Sequence, residues 1–200
     1  GWEEREHDAF GFDLLATAER MQRFEESLEV ISRLLHSDAP VSFQGRFYRL
    51  NEAVLLPRPQ RPGGPPLLIG GNGAQRTLPL AARFADEWNA VYIPALRFAE
   101  LTARLDSLLA EQGRPAGAVR RSLMTGLVFG RDEAELRAKL DGRDPQALRE
   151  RGVIVATADT VLEQLHELAQ VGVQRVMLQW LDLDDLDGLE ALATAIVAKL

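Results

Sequence analysis

The stretch Leu67-Leu68-Ile69-Gly70-Gly71-Asn72-Gly73 constrains this chain more than any other. An apolar run of strand length ends in a glycine-rich turn, and Ala74-Gln75-Arg76-Thr77-Leu78 then opens a helix predicted over residues 74–84. Glycine admits positive φ and lets another group approach the backbone closely. The first amides of a helix lack internal partners and lie at the positive end of its dipole, so they suit a phosphate. Gly70, Gly71, Asn72 and Gly73 are therefore candidates for a phosphate grip on a cofactor or substrate, and Arg76, in the first turn, is placed to add a bidentate contact. The plainer reading is a strand-to-helix turn that needs glycine only for its geometry. Arg76 stands where a dinucleotide fingerprint wants Gly or Ala, so a Rossmann-like nicotinamide site has weak support. No Gly-Lys-Ser/Thr occurs, which removes the P-loop.

From this junction onward the pattern alternates. Strands are predicted at 67–70, 87–91, 123–129 and 173–180, with helices at 74–84, 95–112, from 133, at 160–170 and at 186–200. Val153-Ile154-Val155-Ala156 fits either a strand or a buried connection. Alternation of this kind means parallel pairing with right-handed crossovers. Upstream, Met21, Phe24, Leu28, Ile31 and Leu35 form one apolar stripe on a helix predicted over 17–36. Residues 41–50 read as a short β-hairpin, and 57–66, with five prolines and two glycines, as an extended linker. The expectation is a single α/β domain over 1–200. An open doubly wound sheet and part of a (βα)8 barrel both fit, although a whole barrel needs about 250 residues.

Net charge −7 and a pI near 5.1 argue against a nucleic-acid partner. No apolar run approaches the roughly 18 residues of a membrane span, so no membrane partner is expected and a cytoplasmic enzyme is the default. With no cysteine, and with His36 and His166 far apart, a zinc site is not expected. Asp182, Asp184, Asp185 and Asp187 invite a calcium reading, but Leu186 and Ala193 occupy two of the EF-hand ligand positions. Those acids are expected to form a solvated turn and the start of the last helix. No metal site is assigned. The chain opens on Gly1-Trp2 rather than Met, which suggests a piece of something longer.

The order of motifs carries a resemblance. Gly1-Trp2-Glu3-Glu4-Arg5-Glu6-His7-Asp8-Ala9-Phe10-Gly11 resembles the Gly-Trp-x-x-x-Glu-His-x-x-Phe-Gly segment of the bacterial luciferase-like oxidoreductases, closest to the branch that uses the deazaflavin coenzyme F-420. The similarity continues through Ala18-Glu19-Arg20, Glu25-Glu26-Ser27-Leu28-Glu29-Val30-Ile31 and the Phe43-Gln44-Gly45-Arg46-Phe47-Tyr48 hairpin. It then takes in Pro57-Arg58-Pro59-Gln60-Arg61-Pro62, the glycine turn and Ala81-Ala82-Arg83-Phe84-Ala85-Asp86-Glu87-Trp88-Asn89. It is weaker beyond residue 90, where Arg151-Gly152-Val153-Ile154-Val155-Ala156-Thr157 is similar to the family's Gly-Thr-Pro turn with Ala156 and Ala158 substituted.

The resemblance implies a (βα)8 TIM-barrel fold with an inserted hairpin, of which this chain holds the C-terminal half and about four βα units. Gly1-Trp2 then follows the fourth barrel strand. It also implies an FMN- or coenzyme F-420-dependent oxidoreductase or monooxygenase acting on a small organic substrate. Trp2, Glu6 and His7 become candidates for the pocket beside the cofactor ring. Trp2 occupies the place of a catalytic Glu in the members that oxidise sugar phosphates, which puts that chemistry in doubt. Each has a plainer role: Trp2 as a core aromatic, Glu6 on a barrel-top amide, His7 as a helix cap. Trp88 and Asn89 end a strand, where either can face the barrel mouth. The catalytic residues are unassigned, because the first strands that cradle the ring are missing. The alternative is a non-catalytic half-barrel whose open edges self-associate, and a homo-oligomer is expected.

Overall fold

The computed structural model describes residues 2–197. Contacts divide the chain into two compact units, Gly1–Pro66 and Leu67–Leu200.

The first unit holds α1 (Glu4–Phe10), α2 (Thr17–His36) and a hairpin of β1 (Val41–Gln44) and β2 (Arg49–Ala53). The short helix α1 is not anticipated by the apolar pattern. It starts at Glu3, whose carboxylate accepts from Arg5 N at 3.3 Å, and stops at Gly11 in the left-handed region. α2 has the predicted bounds, but only part of the predicted stripe is covered, since Leu28 is buried while Ile31 is 42% exposed. Glu26 ties the hairpin to α2. Its carboxylate accepts from the amides of Arg46 at 2.9 Å, Phe47 at 2.8 Å and Tyr48 at 3.3 Å. Burial pushes the Glu26 carboxyl up, but these three amides and the Arg46 charge together bring it below its ordinary value. Gly45 leaves room for this contact, since a Cβ on it would lie 2.3 Å from Glu26 Oε2 and force the carboxylate to shift. The proline-rich 57–66 stretch contains no helix or strand, and its Arg58 guanidinium donates to the C-terminal carbonyls of α2, at Leu34 and Leu35.

The second unit is a parallel sheet with helices on one face. Its elements are β3 (Leu68–Gly70), α3 (Thr77–Phe84), β4 (Glu87–Val91), α4 (Ala95–Glu111) and β5 (Arg120–Gly130). After these come α5 (Glu133–Leu140), α6 (Pro145–Glu150), β6 (Ile154–Thr157), α7 (Val161–Gln170), β7 (Arg175–Gln179) and α8 (Leu186–Val197). The strands run β3-β4-β5-β6, with β7 on β5, all parallel. β5 is the axis of the sheet. Its residues 120–124 pair with β4, 122–126 with β7 and 127–130 with β6. The ambiguous 153–156 segment is therefore a fifth parallel strand. The helix after the glycine turn begins at Thr77 rather than Ala74, and the three preceding residues form a turn. The last three residues of the predicted closing helix lie outside the described residues.

Side chains alternate across a strand. Trp88 points into the helix layer, stacking on Phe98 of α4 with centroids 5.3 Å apart, and both are fully buried with Leu78, Leu101, Leu105 and Leu123. Each such burial contributes about 2 kcal/mol. Glu87, Asn89 and Val91 take the opposite face, in register with Arg120, Ser122 and Met124. Among the described residues, no helix is long and apolar enough to cross a membrane.

Candidate functional site

In a parallel α/β sheet, ligands gather at the C-terminal ends of the strands. Here those ends are Gly70 of β3, Val91 of β4 and Gln179 of β7, beside Gly126 within the longer β5. The loop from β3 to α3 is built by its neighbours. Gly71, at φ +125, donates its amide to Asn89 O at 2.9 Å and accepts at its carbonyl from Trp88 Nε1 at 2.9 Å. Asn72 uses its side chain as a substitute peptide: Nδ2 donates to Val91 O at 2.7 Å and Oδ1 accepts from Val91 N at 2.9 Å. The carbonyl of Gly73 accepts the first two helical amides, Thr77 N at 2.9 Å and Leu78 N at 3.0 Å. A Cβ on Gly73 would lie 2.8 Å from Thr77 Oγ1.

Among the described residues, the amides of residues 72 to 76 donate to no backbone group and no side chain caps α3. Arg76 occupies the N-cap position, one residue before the helix rather than in its first turn, and is exposed. No acidic residue lies in the first turn of α3. A glycine cradle, a row of unspent donors and an exposed guanidinium are chemically suited to a phosphate. The donors are narrower than the sequence implies. Gly71 and the Asn72 side chain are spent on holding the turn, which leaves the amides from Asn72 to Arg76.

The other candidates fall in the first unit, apart from Trp88 and Asn89. Trp2 is 80% exposed, so it is not a core aromatic. Glu6 lies exposed on α1. His7 is inside α1 rather than capping the next helix, with Nδ1 2.8 Å from Glu3 O. Its ring lines a cavity of about 240 Å³ shared with Asp13, Arg20, Arg23 and Tyr48. Trp88 is fully buried against α4, and Asn89 is buried on the other face, donating to Ser122 Oγ at 2.9 Å, so neither lines the mouth. The expected acidic turn is present: Asp185 accepts from Gly188 N at 2.9 Å and starts α8. His36 closes the last turn of α2, its Nδ1 2.7 Å from Ser32 O. Among the described residues, no group of three His, Asp or Glu side chains is placed to hold a metal.

Two polar groups at the mouth have no sequence motif. Tyr92, directly after β4, sits at φ +50 and donates its amide to Met124 O at 3.0 Å. Its hydroxyl hydrogen-bonds to Oε1 of Gln179, the last residue of β7. The signal for them is position alone, Tyr92 directly after β4 and Gln179 at the end of β7.

The model of the luciferase-like monooxygenase family matches residues 1–149. The F420-dependent glucose-6-phosphate dehydrogenase of Kineococcus radiotolerans is 27% identical over 64% of this chain and 37% of that protein. The FMNH(2)-dependent dimethylsulfone monooxygenase of Pseudomonas putida is 28% identical over 79% of this chain and 43% of that protein. The chain thus spans about two-fifths of the length of the curated relatives it matches. Among solved structures, EDTA monooxygenase from Chelativorans sp. BNC1 superposes with a TM-score of 0.77 at 19% identity, over 96% of this chain and 62% of that one. The shared fold is that of a luciferase-like TIM barrel, of which the described residues form an unclosed part.

Proposed function

Because the chain belongs to the luciferase-like monooxygenase family, we propose that it supplies the phosphate-holding side of a flavin- or deazaflavin-dependent oxidoreductase acting on a small organic molecule. The observation that carries this is the open row of amides from Asn72 to Arg76, over a turn with Gly71 at φ +125 and a Gly73 on which a Cβ would press against Thr77 Oγ1. Relatives bearing the names of an F420-dependent and an FMNH(2)-dependent enzyme support FMN or coenzyme F-420 as the group held. When bound, that group supplies hydride transfer or oxygen activation. The chain's own residues bind and orient: Asn72 fixes the turn to β4, the amides hold the phosphate and Arg76 adds charge from outside. Gly70 ends the strand beneath them.

Equilibrium binding of FMN and of coenzyme F-420 to the 200-residue chain, followed by fluorescence, tests this. The expected result is saturable binding of one of them, displaced by inorganic phosphate and lost in Gly71→Asp. A folded chain that binds neither sinks the proposal.

A second reading rests on topology. β3 and β7 each pair with a single strand within the sheet, and Leu68 of β3 is 47% exposed. Such edges are templates for association, so a homo-oligomer is proposed. Sedimentation showing a monomer at every concentration removes it.

A further inference from the structure

We infer that Tyr92 and Gln179 form a recognition pair for the substrate, an uncharged molecule that carries a carbonyl oxygen beside an N–H or O–H donor. The inference rests on the oxidoreductase reading above. A positive φ is rare for a bulky residue and persists only where the surroundings hold it. Here they do so from three strands. Asn72 clamps both polar atoms of Val91, and the next amide, that of Tyr92, is taken by Met124 O. The ring then lies over Gly126, where a Cβ would be 3.0 Å from the hydroxyl. The hydroxyl ends on Gln179 Oε1.

This bond leaves two capacities unused, side by side. The phenol oxygen, having given its proton to Gln179, keeps a lone pair that can accept. The Gln179 Nε2 donors face only the thioether of Met124, at 3.5 Å, and sulfur is a weak acceptor. One acceptor beside one donor is the complement of a cis-amide edge, as in a lactam, or of a hydroxyketone. A ligand with both groups satisfies the pair, whereas one lacking either leaves a half-buried polar atom unpaired.

The surroundings select against charge. The contacts of the pair come from Met124 and Gly126, and the residues beneath it on the same face are Val91 and Met177. The charged residues on this sheet face lie at the other end of the strands, where Glu87 is bridged by Arg175 at 3.2 Å and Arg120 at 3.9 Å. Gln179 lies four residue steps along β7 from Arg175, about 13 Å of extended chain.

The test is a titration of the ¹⁵N-labelled chain, reading the Gln179 side-chain amide by NMR. The probes are 2-pyrrolidinone, N-methyl-2-pyrrolidinone and glucose 6-phosphate. 2-Pyrrolidinone is expected to give a saturable shift. The N-methyl compound, lacking the donor, should bind about fivefold more weakly, the worth of one neutral hydrogen bond, and the sugar phosphate should leave the resonance unmoved. Tyr92→Phe keeps the ring but removes the acceptor, so the two lactams should become equal. If that variant does not fold, Gln179→Met replaces it and is read at the Met124 methyl, where the lactam response should disappear. No saturable shift in the parent chain, or discrimination that survives in the variant, overturns the proposal. FMN added to the same sample and read at the Gly73 amide reports on the cofactor reading alone. Lactam binding without FMN binding sinks that reading and spares the pair, and the reverse sinks the pair.

Discussion

The sheet turns from strand to helix after β3 and again after β5, and the two turns solve the same problem in opposite ways. After β5, Asp132 Oδ1 accepts from Glu135 N at 2.9 Å, and Glu135 reaches back to accept from Arg131 N at 2.8 Å. Gly130 is packed so closely that a Cβ would lie 2.3 Å from Leu136 N. Arg131 N and Glu135 N, two donors at that helix start, are thus met by side chains of the turn itself. After β3, the N-cap is Arg76, with no side-chain bond to a helical amide and no acid in the first turn. Both turns need glycine, so glycine does not distinguish a binding turn from a structural one. The cap does. A helix start with open donors and an exposed cation suits an anion from outside, which is the role proposed for this turn.

The largest expected effect comes from closing the open turn. Arg76→Asp replaces the cation with an N-cap carboxylate aimed at the same amides. FMN affinity should fall about tenfold or more, from charge reversal and loss of donors, while thermal stability rises by about 1 kcal/mol from the new cap. Binding and melting experiments on the same preparation check both signs. Unchanged affinity in a stabilised variant would mean that these amides are not where the phosphate sits.

The converse operation on the closed turn comes next. Asp132→Ala removes a native cap and should cost about 1 kcal/mol of stability, with FMN affinity unaltered. A comparable loss of affinity would break the contrast between the two turns.

The closed turn also has a pH signature. The Arg131 side-chain and backbone hydrogen bonds, with Lys139 beside them, hold the Glu135 carboxyl at about 2 against opposing burial. Lys139 also pairs with Asp185, so α5 is tied to the start of α8. A folded-state value below the ordinary carboxylate value of 4.5 makes this contribution fully present above that value, and it is lost as pH falls from there toward about 2. The stability difference between the parent chain and Glu135→Gln should therefore shrink on acidification through that window. A difference independent of pH between 5 and 2 refutes the assignment.

The legible parts of this fold are those where local pattern and tertiary structure agree. β4 and α2 have their predicted bounds, and in α2 a 3.6-residue stripe spans the whole helix. The sequence pattern starts α3 three residues early because nothing caps it, and the same missing cap makes the turn a candidate site. β6 looked ambiguous because all four residues are buried, which erases the alternation that marks a half-buried strand. The sequence offers Asn72 to the grip through its backbone amide, whereas the role of its side chain, which substitutes for a peptide opposite Val91, depends on a partner 19 residues away. Tyr92 and Gln179 lie 87 residues apart in the chain and meet only because β5 stands between β4 and β7. No local pattern carries that.

The smallest expected effect isolates the guanidinium of Arg76 from the amides beside it. Arg76→Gln keeps the length and the absence of a carboxylate, so the turn stays open and only the charge is removed. Because the side chain is exposed, its pairing with a phosphate is screened by solvent, and FMN affinity should fall roughly threefold at low salt. That loss should vanish near 1 M salt, where the screening length is about 3 Å, while binding through the backbone amides persists. Titrations of both forms at low and high salt decide it. If the glutamine variant loses as much as Arg76→Asp, the arginine rather than the amide row holds the phosphate, and the open turn owes its function to one side chain.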